Sequence, residues 1–153
     1  YYPSKEAILF DIMHSHVTEL LEVAQETQAQ AGSDKDNFRD LMRRFMAIYL
    51  NAGSQHVILI NDLGVLPEDK RQQISDLQQK VINVVLAMLI KINPVLADKE
   101  KYQKPVTMAL MGMINWTYTW FNQDGPIDHE QYADLAVDLF LGGLMSIELP
   151  ADG

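Results

Sequence analysis

A chain of 153 residues, 48% of them apolar and with a formal charge of -9, can fill one sizeable core but as a whole repels the phosphates on which nucleic-acid binders depend. It holds no cysteine, which removes disulfide scaffolds, thiolate metal sites and cysteine nucleophiles. The longest strongly apolar stretch, residues 81–92, is interrupted by Asn83 and Lys91 and falls short of the roughly 20 residues of a membrane-spanning helix. The charged start lacks the apolar stretch of a signal peptide. The expectation is a soluble, cytoplasmic protein with no membrane partner.

Between glycine and proline breaks, apolar residues recur at the helical period, and nowhere do they alternate for long enough to make a sheet. Six helices are predicted. The first opens at Ser4, an N-cap residue behind Pro3, and carries Ile8, Leu9, Ile12, Val17, Leu20, Leu21 and Ala24 towards a stop at Gly32 and Ser33. The second covers 34–52, with Phe38, Leu41, Met42, Phe45, Ile48 and Tyr49 on one face, and ends at Gly53. A short third, 54–63, holds His56, Val57, Leu59 and Ile60. Pro67 starts a fourth that reaches Asn93. It is polar at first, apolar on most sides from Val81, and stopped by Pro94. The fifth spans 98–122, with Pro105 kinking it or starting its regular part. After the turn signal Asp124–Gly125–Pro126, Asp128 caps the sixth, which runs to about Ile147, with Gln131 placed as in a capping box.

The last two helices are each apolar on two sides. In the sixth, Tyr132, Leu135, Ala136, Leu139 and Gly143 share one face, and Ala133, Val137, Phe140, Leu144 and Ile147 the next. In the fifth, Ala109, Gly112, Met113, Trp116 and Trp120 form one face, and Leu110, Ile114, Tyr118 and Phe121 the other. A surface helix needs one stripe. The second stripe requires either the middle of a monomer or another copy, and Gly112, Gly142 and Gly143 would allow close approach. The expectation is a homodimer in which these helices pair into a four-helix bundle, with Trp116, Trp120, Tyr132, Leu135, Leu139 and Gly143 at the interface.

Residues with reactive chemistry are sparse. His14 and His16 stand two apart and point to different sides of a helix, where a zinc pair wants a spacing of four. No third ligand is evident, so neither a metal nor a cofactor is expected. There is no nucleophile elbow and no phosphate-cradling glycine loop, and the acidic residues are scattered over polar faces, so an enzyme is not expected. Met42, Met46, Met88, Met108, Met111 and Met113, six of the eight methionines, lie on apolar helices, where methionine fills irregular gaps and tolerates ligands of varied shape. With Phe45, Tyr49, Trp116, Tyr118 and Trp120 they suit plain packing or an apolar pocket between helices. The pocket candidates are Phe45, Met46, Tyr49, His56, Met88, Met113 and Tyr118, with His56 either a core or surface histidine or a ligand contact. Arg44 can pair with Asp40 at helical spacing. Arg39 and Arg43 share a flank beside Met46. Their stems can cover apolar surface, or their heads can meet a ligand's phosphate or carboxylate at a pocket mouth.

The opening YYPSKEAILFDIM resembles the junction after the recognition helix of TetR-family repressors, where an aromatic pair and Ser-Lys-Glu lead into a long connecting helix. The stretch INWTYTWFNQDGPIDHEQYADLAVDLFLGGL resembles that family's last two helices, most of all in members that sense acyl-CoA-type ligands. The resemblance implies an all-α, six-helix effector-binding and dimerisation domain over 6–153, with 1–5 a remnant of the junction to a DNA-binding head. That head, about three helices including a helix-turn-helix, would precede Tyr1. It implies that Tyr1, Tyr2 and Lys5 touch DNA phosphates, which fix register without reading sequence. It also implies a small apolar effector, an acyl-CoA among the candidates, entering between the second, fourth and fifth helices. Binding would move the first helix, and with it two heads that must span half-sites roughly 34–36 Å apart, so that the repressor leaves its operator. The rival readings are a helical adaptor that binds a partner protein without a small-molecule pocket, and an enzyme, which would need titratable groups converging in such a pocket.

Overall fold

A computed structural model describes residues 4–150. Among them all regular structure is helical: α1 (Lys5–Gln28), α2 (Asp34–Ala52), α3 (Ser54–Asp62), α4 (Glu68–Ile92), α5 (Glu100–Asn115) and α6 (His129–Ser146), with short 3-10 segments at Leu63–Val65, Pro94–Asp98 and Trp116–Thr119. The caps explain three of the starts. Ser4 Oγ accepts from the Ala7 amide at 3.1 Å and Ser33 Oγ from the Asp36 amide at 3.1 Å. At α6, Asp128 Oδ1 accepts from the Gln131 amide at 2.8 Å while Gln131 Oε1 accepts from the Asp128 amide at 2.9 Å. Each satisfies backbone donors that a helix start leaves unpaired. Gly53 closes α2 and opens α3 with no residue between, at φ +52°. That backbone strains any residue with a Cβ.

The fifth helix is shorter than its apolar pattern predicts. It ends at Asn115, and the chain tightens into the 3-10 segment at Trp116. The cause lies in two threonines. Thr117 Oγ1 donates to the Ile114 carbonyl at 2.7 Å and Thr119 Oγ1 to the Trp116 carbonyl at 2.7 Å, and such local bonds compete with the helix ladder. Trp116, Tyr118, Trp120 and Phe121 therefore do not extend the α5 faces. Pro105 lies inside α5, whose first turn is already formed at Glu100.

α2 runs through the core, with Phe38, Leu41, Met42, Phe45 and Met46 sealed from solvent. It packs on α6 and α1, and α1 lies along α4. α1 buries Met13, His16, Val17, Leu20, Leu21, Ala24 and Thr27. Ile8, assigned above to the same stripe, is exposed. Polar ties fix the angles between helices. Asn93 Nδ2 donates to the Leu144 carbonyl at 3.1 Å, and the Tyr132 hydroxyl donates to the Met113 carbonyl at 2.7 Å. Arg43 grips Asp134 with two parallel bonds of 2.7 and 2.6 Å, and Arg39 donates to Asp138 at 2.5 Å, so that α2 and α6 are clamped together.

The two-sided pattern of the last helices takes a definite form. Leu110 and Ile114 of α5, and Ala133, Val137 and Leu144 of α6, face the core. Ala109, Gly112 and Trp116, with Leu135, Leu139, Gly142 and Gly143, remain exposed; Leu139 keeps 63% and Trp116 61% of its surface. Among the described residues no helix is long and apolar enough to cross a membrane.

Candidate functional site

α1, α3, α4 and α5 surround a cavity of about 190 Å³. Val17 and Leu20, Leu59 and Ile60, Val81 and Ile82, and Met108 and Met111 supply its apolar walls, a pair from each helix, and Tyr49, His56, Gln78 and Asn115 its polar groups. An apolar cavity of roughly 150 Å³ holds benzene, so this one takes a compact group somewhat larger.

The polar groups form a chain. The Tyr49 hydroxyl donates to Asn115 Oδ1 at 2.6 Å, and its ring stacks on His56 with centroids 3.9 Å apart. His56 Nε2 lies 3.4 Å from the Asn115 carbonyl, and His56 Nδ1 lies 3.3 Å from His16 Nε2. Burial lowers the pKa of both histidines. His16, further opposed by charge on His56, falls from 6.5 to about 4. Both rings are therefore neutral near pH 7, and the tautomers follow. A carbonyl only accepts, so His56 Nε2 carries the proton. His56 Nδ1 then accepts, and His16 Nε2 donates. His16 Nδ1 is left as a bare lone pair, buried and without a partner among the described residues. Burial also raises the Tyr49 phenol, which stays a donor.

A second hollow of about 280 Å³ lies between α2, α3 and the Trp116–Thr119 segment, with Leu50, Gly53, Val57, Thr117, Tyr118, Phe121 and Gln123 around it. Tyr49 and His56 line both hollows.

Residues 31–144 match the family described as "Tetracyclin repressor-like, C-terminal domain". The chain belongs to the TetR family of transcription regulators. TetR-family proteins bind DNA and small effectors and are not enzymes. Among solved structures, a TetR-family regulator from Bordetella parapertussis is 33% identical, with a TM-score of 0.89 over 98% of this chain and 78% of that one. PfmR from Thermus thermophilus is 24% identical, with a TM-score of 0.79 over 92% and 77%. AibR, solved with isovaleryl coenzyme A and operator DNA, is 22% identical, with a TM-score of 0.70 over 89% and 74%. The last two likenesses show the fold alone. Comparison with curated proteins yields no match.

Within this TetR-family fold the residues singled out above separate. Tyr49 and His56 meet at the cavity wall, and Tyr118 lies in the second hollow with its ring edge-on to His56 at 6.2 Å. Phe45 and Met46 are sealed inside the core. Met88 borders a small cleft beside Gln28 and Lys91, away from the cavity. Met113 is turned aside, and its neighbours Met108 and Met111 reach the cavity, spaced with Asn115 along one face of α5. Of the two roles open to the arginine pair, the ligand contact finds no support here: Arg39 and Arg43 line neither hollow, and Asp134 and Asp138 of α6 hold their guanidiniums. Arg44 pairs with Asp40 as expected from spacing, at 3.1 Å. The cavity also draws on α1, from which the sequence supplied no candidate, and on more of α3 than His56. Its unforeseen members include Val17 and Leu20 of α1 and, beyond it, Gln78, Val81 and Asn115, with His16 behind His56. The position of His16 on the stripe of Met13, Val17 and Leu20 was the available signal. Of the interface candidates, Trp116, Trp120, Leu135, Leu139 and Gly143 are exposed, whereas Tyr132 is half-buried against Trp120 and Phe121. Lys5 is exposed at the first residue of α1; Tyr1 and Tyr2 lie outside the described residues.

Proposed function

We propose that residues 6–153 are the sensing and dimerising unit of a cytoplasmic, ligand-responsive repressor, joined through residues 1–5 to a DNA-binding head. Tyr1, Tyr2 and Lys5 would help position that head on phosphates. The carrying observation is the cavity, whose walls include Val17 and Leu20 of α1, the helix that would lead to the head. An effector lodged there touches the element it must move. Its leverage is its difference in affinity for the two positions of α1. A protein–protein adaptor has no use for such a cavity. The exposed faces of α5 and α6 would pair two copies.

The buried part of the effector is uncharged, since no lysine or arginine is among the residues lining the cavity. An acyl-CoA meets this requirement if only its acyl group enters, and the AibR complex with isovaleryl coenzyme A supports that choice. Isovaleryl-CoA and its longer homologues should raise the melting temperature, since ligand at a hundred times its Kd adds about 2.7 kcal/mol. Calorimetry should show the negative heat-capacity change of apolar burial, and Leu59→Trp should abolish the binding. Tight binding of neutral aromatics with none of any acyl-CoA would overturn the acyl-CoA reading.

A further inference from the structure

We infer that the second hollow is the other half of the effector site, closed off by His56, and that the effector is an elongated molecule with a compact apolar head and an uncharged, amide-bearing stem. This rests on the reading of the first cavity as the effector site.

The two residues shared by both hollows are held unequally. Tyr49 is pinned to Asn115 by a bond of 2.6 Å. The hydrogen bonds of His56 are longer, 3.4 and 3.3 Å, at the long end of what counts as a hydrogen bond, beside its stack on the Tyr49 ring. His56 rides on α3, nine residues long and with no side-chain cap at its start. α3 joins α2 at Gly53, which itself borders the second hollow. His56 is the leaf that moves, and Tyr49 the post that stays.

Swinging His56 aside joins the hollows and exposes two broken bonds. His16 Nε2–H loses its acceptor, and leaving it unpaired in an apolar wall is unfavourable; the Asn115 carbonyl, which begins the 3-10 turn, keeps its second lone pair open to a donor. A secondary amide supplies one N–H and one carbonyl on opposite sides, as the neutral imidazole did. The stem must also be uncharged, because no lysine or arginine is among the residues lining either hollow. A thioester of a compact acid on an amide-bearing thiol has this form.

Three uncharged probes test it: S-methyl isovalerothioate as the head alone, S-isovaleryl-N-acetylcysteamine as head with amide stem, and the acetoxy analogue that replaces the amide N–H by oxygen. The amide stem should tighten binding at least tenfold over the head alone, and the acetoxy stem should lose most of that gain. Val57→Trp, which fills the second hollow, should erase the gain that the amide stem gives over the head alone. Leu50→Trp serves as a second plug if the first variant loses its helical circular dichroism. Leu59→Trp or Met111→Trp, plugging the first cavity, should abolish binding of all three probes. No gain from the amide, or a gain that survives a folded plug of the second hollow, overturns the two-hollow site and leaves the first cavity standing. Undiminished binding in the folded first-cavity plugs, or no binding of any probe to the parent, overturns the effector-cavity reading itself and this inference with it.

Discussion

His16 carries a polar ring into a place that α1 otherwise gives to Met13, Val17 and Leu20, and the ring is 1% exposed. Its pKa falls to about 4 because burial disfavours the imidazolium. Between pH 6.5 and about 4 the unfolded chain binds a proton that the folded chain refuses. Stability therefore rises with pH through that window and is lost as pH falls through it. His56, lowered by the same cause, acts in the same direction. Urea unfolding should show a loss from pH 7 to pH 4 with an upper bound on the order of 3 kcal/mol from His16, and His16→Leu should flatten the slope. An equal slope in parent and variant would contradict the assignment. The pair could not be read from the chain, because the spacing of His14 and His16 poses a local question while the partner of His16 lies 40 positions away. The arginines carry the same lesson. Arg39 and Arg43 stand four apart on α2, Asp134 and Asp138 four apart on α6, and only the packing of those helices decides that carboxylates, not a ligand, receive them.

At the level of elements, the starts at Ser4 and Asp128 were legible from their capping side chains, whereas Ser33 was read only as the stop of the helix before it. Ser4, Ser33 and Asp128 each accept from the amide three residues on, and the limits of α2 fall where Ser33 and Gly53 place them. The end of α5 was not legible, since apolar periodicity continues past Asn115 while the hydroxyls of Thr117 and Thr119 redirect the backbone. Asp128 opens the helix that bears the exposed apolar face, so its cap can be tested directly. Asp128→Ala removes an acceptor from the Gln131 amide and should cost about 1 kcal/mol, seen as a lower urea midpoint with an unchanged slope. An unchanged midpoint would mean that α6 is held by packing and the Arg39–Arg43 clamp alone.

At the level of the molecule, Gly112, Gly142 and Gly143 are unexplained by a single copy. An added Cβ at any of them meets nothing within 4 Å, yet glycine inside a helix costs about 1 kcal/mol relative to alanine. Gly142 and Gly143 lie on the exposed face of α6 with Leu135 and Leu139, and Gly112 is exposed on α5; the second copy proposed to sit there would give them a purpose. Light scattering after size exclusion should return a dimer mass for the parent. Leu139→Arg, which buries an unpaired charge in that interface, should return a monomer. A monomeric parent at tens of micromolar would remove the interface. The doubled apolar faces were legible in the sequence. Which face turned inward was not, because that depends on where α2 lies.

The arginine clamp also sets which parts travel together. With α2 locked to α6, Tyr49 shifts only if that whole block shifts, whereas α1 rests on α4 across the cavity. α1 has 24 residues, about 36 Å at 1.5 Å per residue; under the proposed function its far end, buried at Ala24, would be the fulcrum. Val17 then lies about 10 Å from the fulcrum and Lys5 about 28 Å. A ligand that pushed Val17 by about 1 Å would then swing Lys5 by about 3 Å, a displacement gain set by the ratio of the two arm lengths.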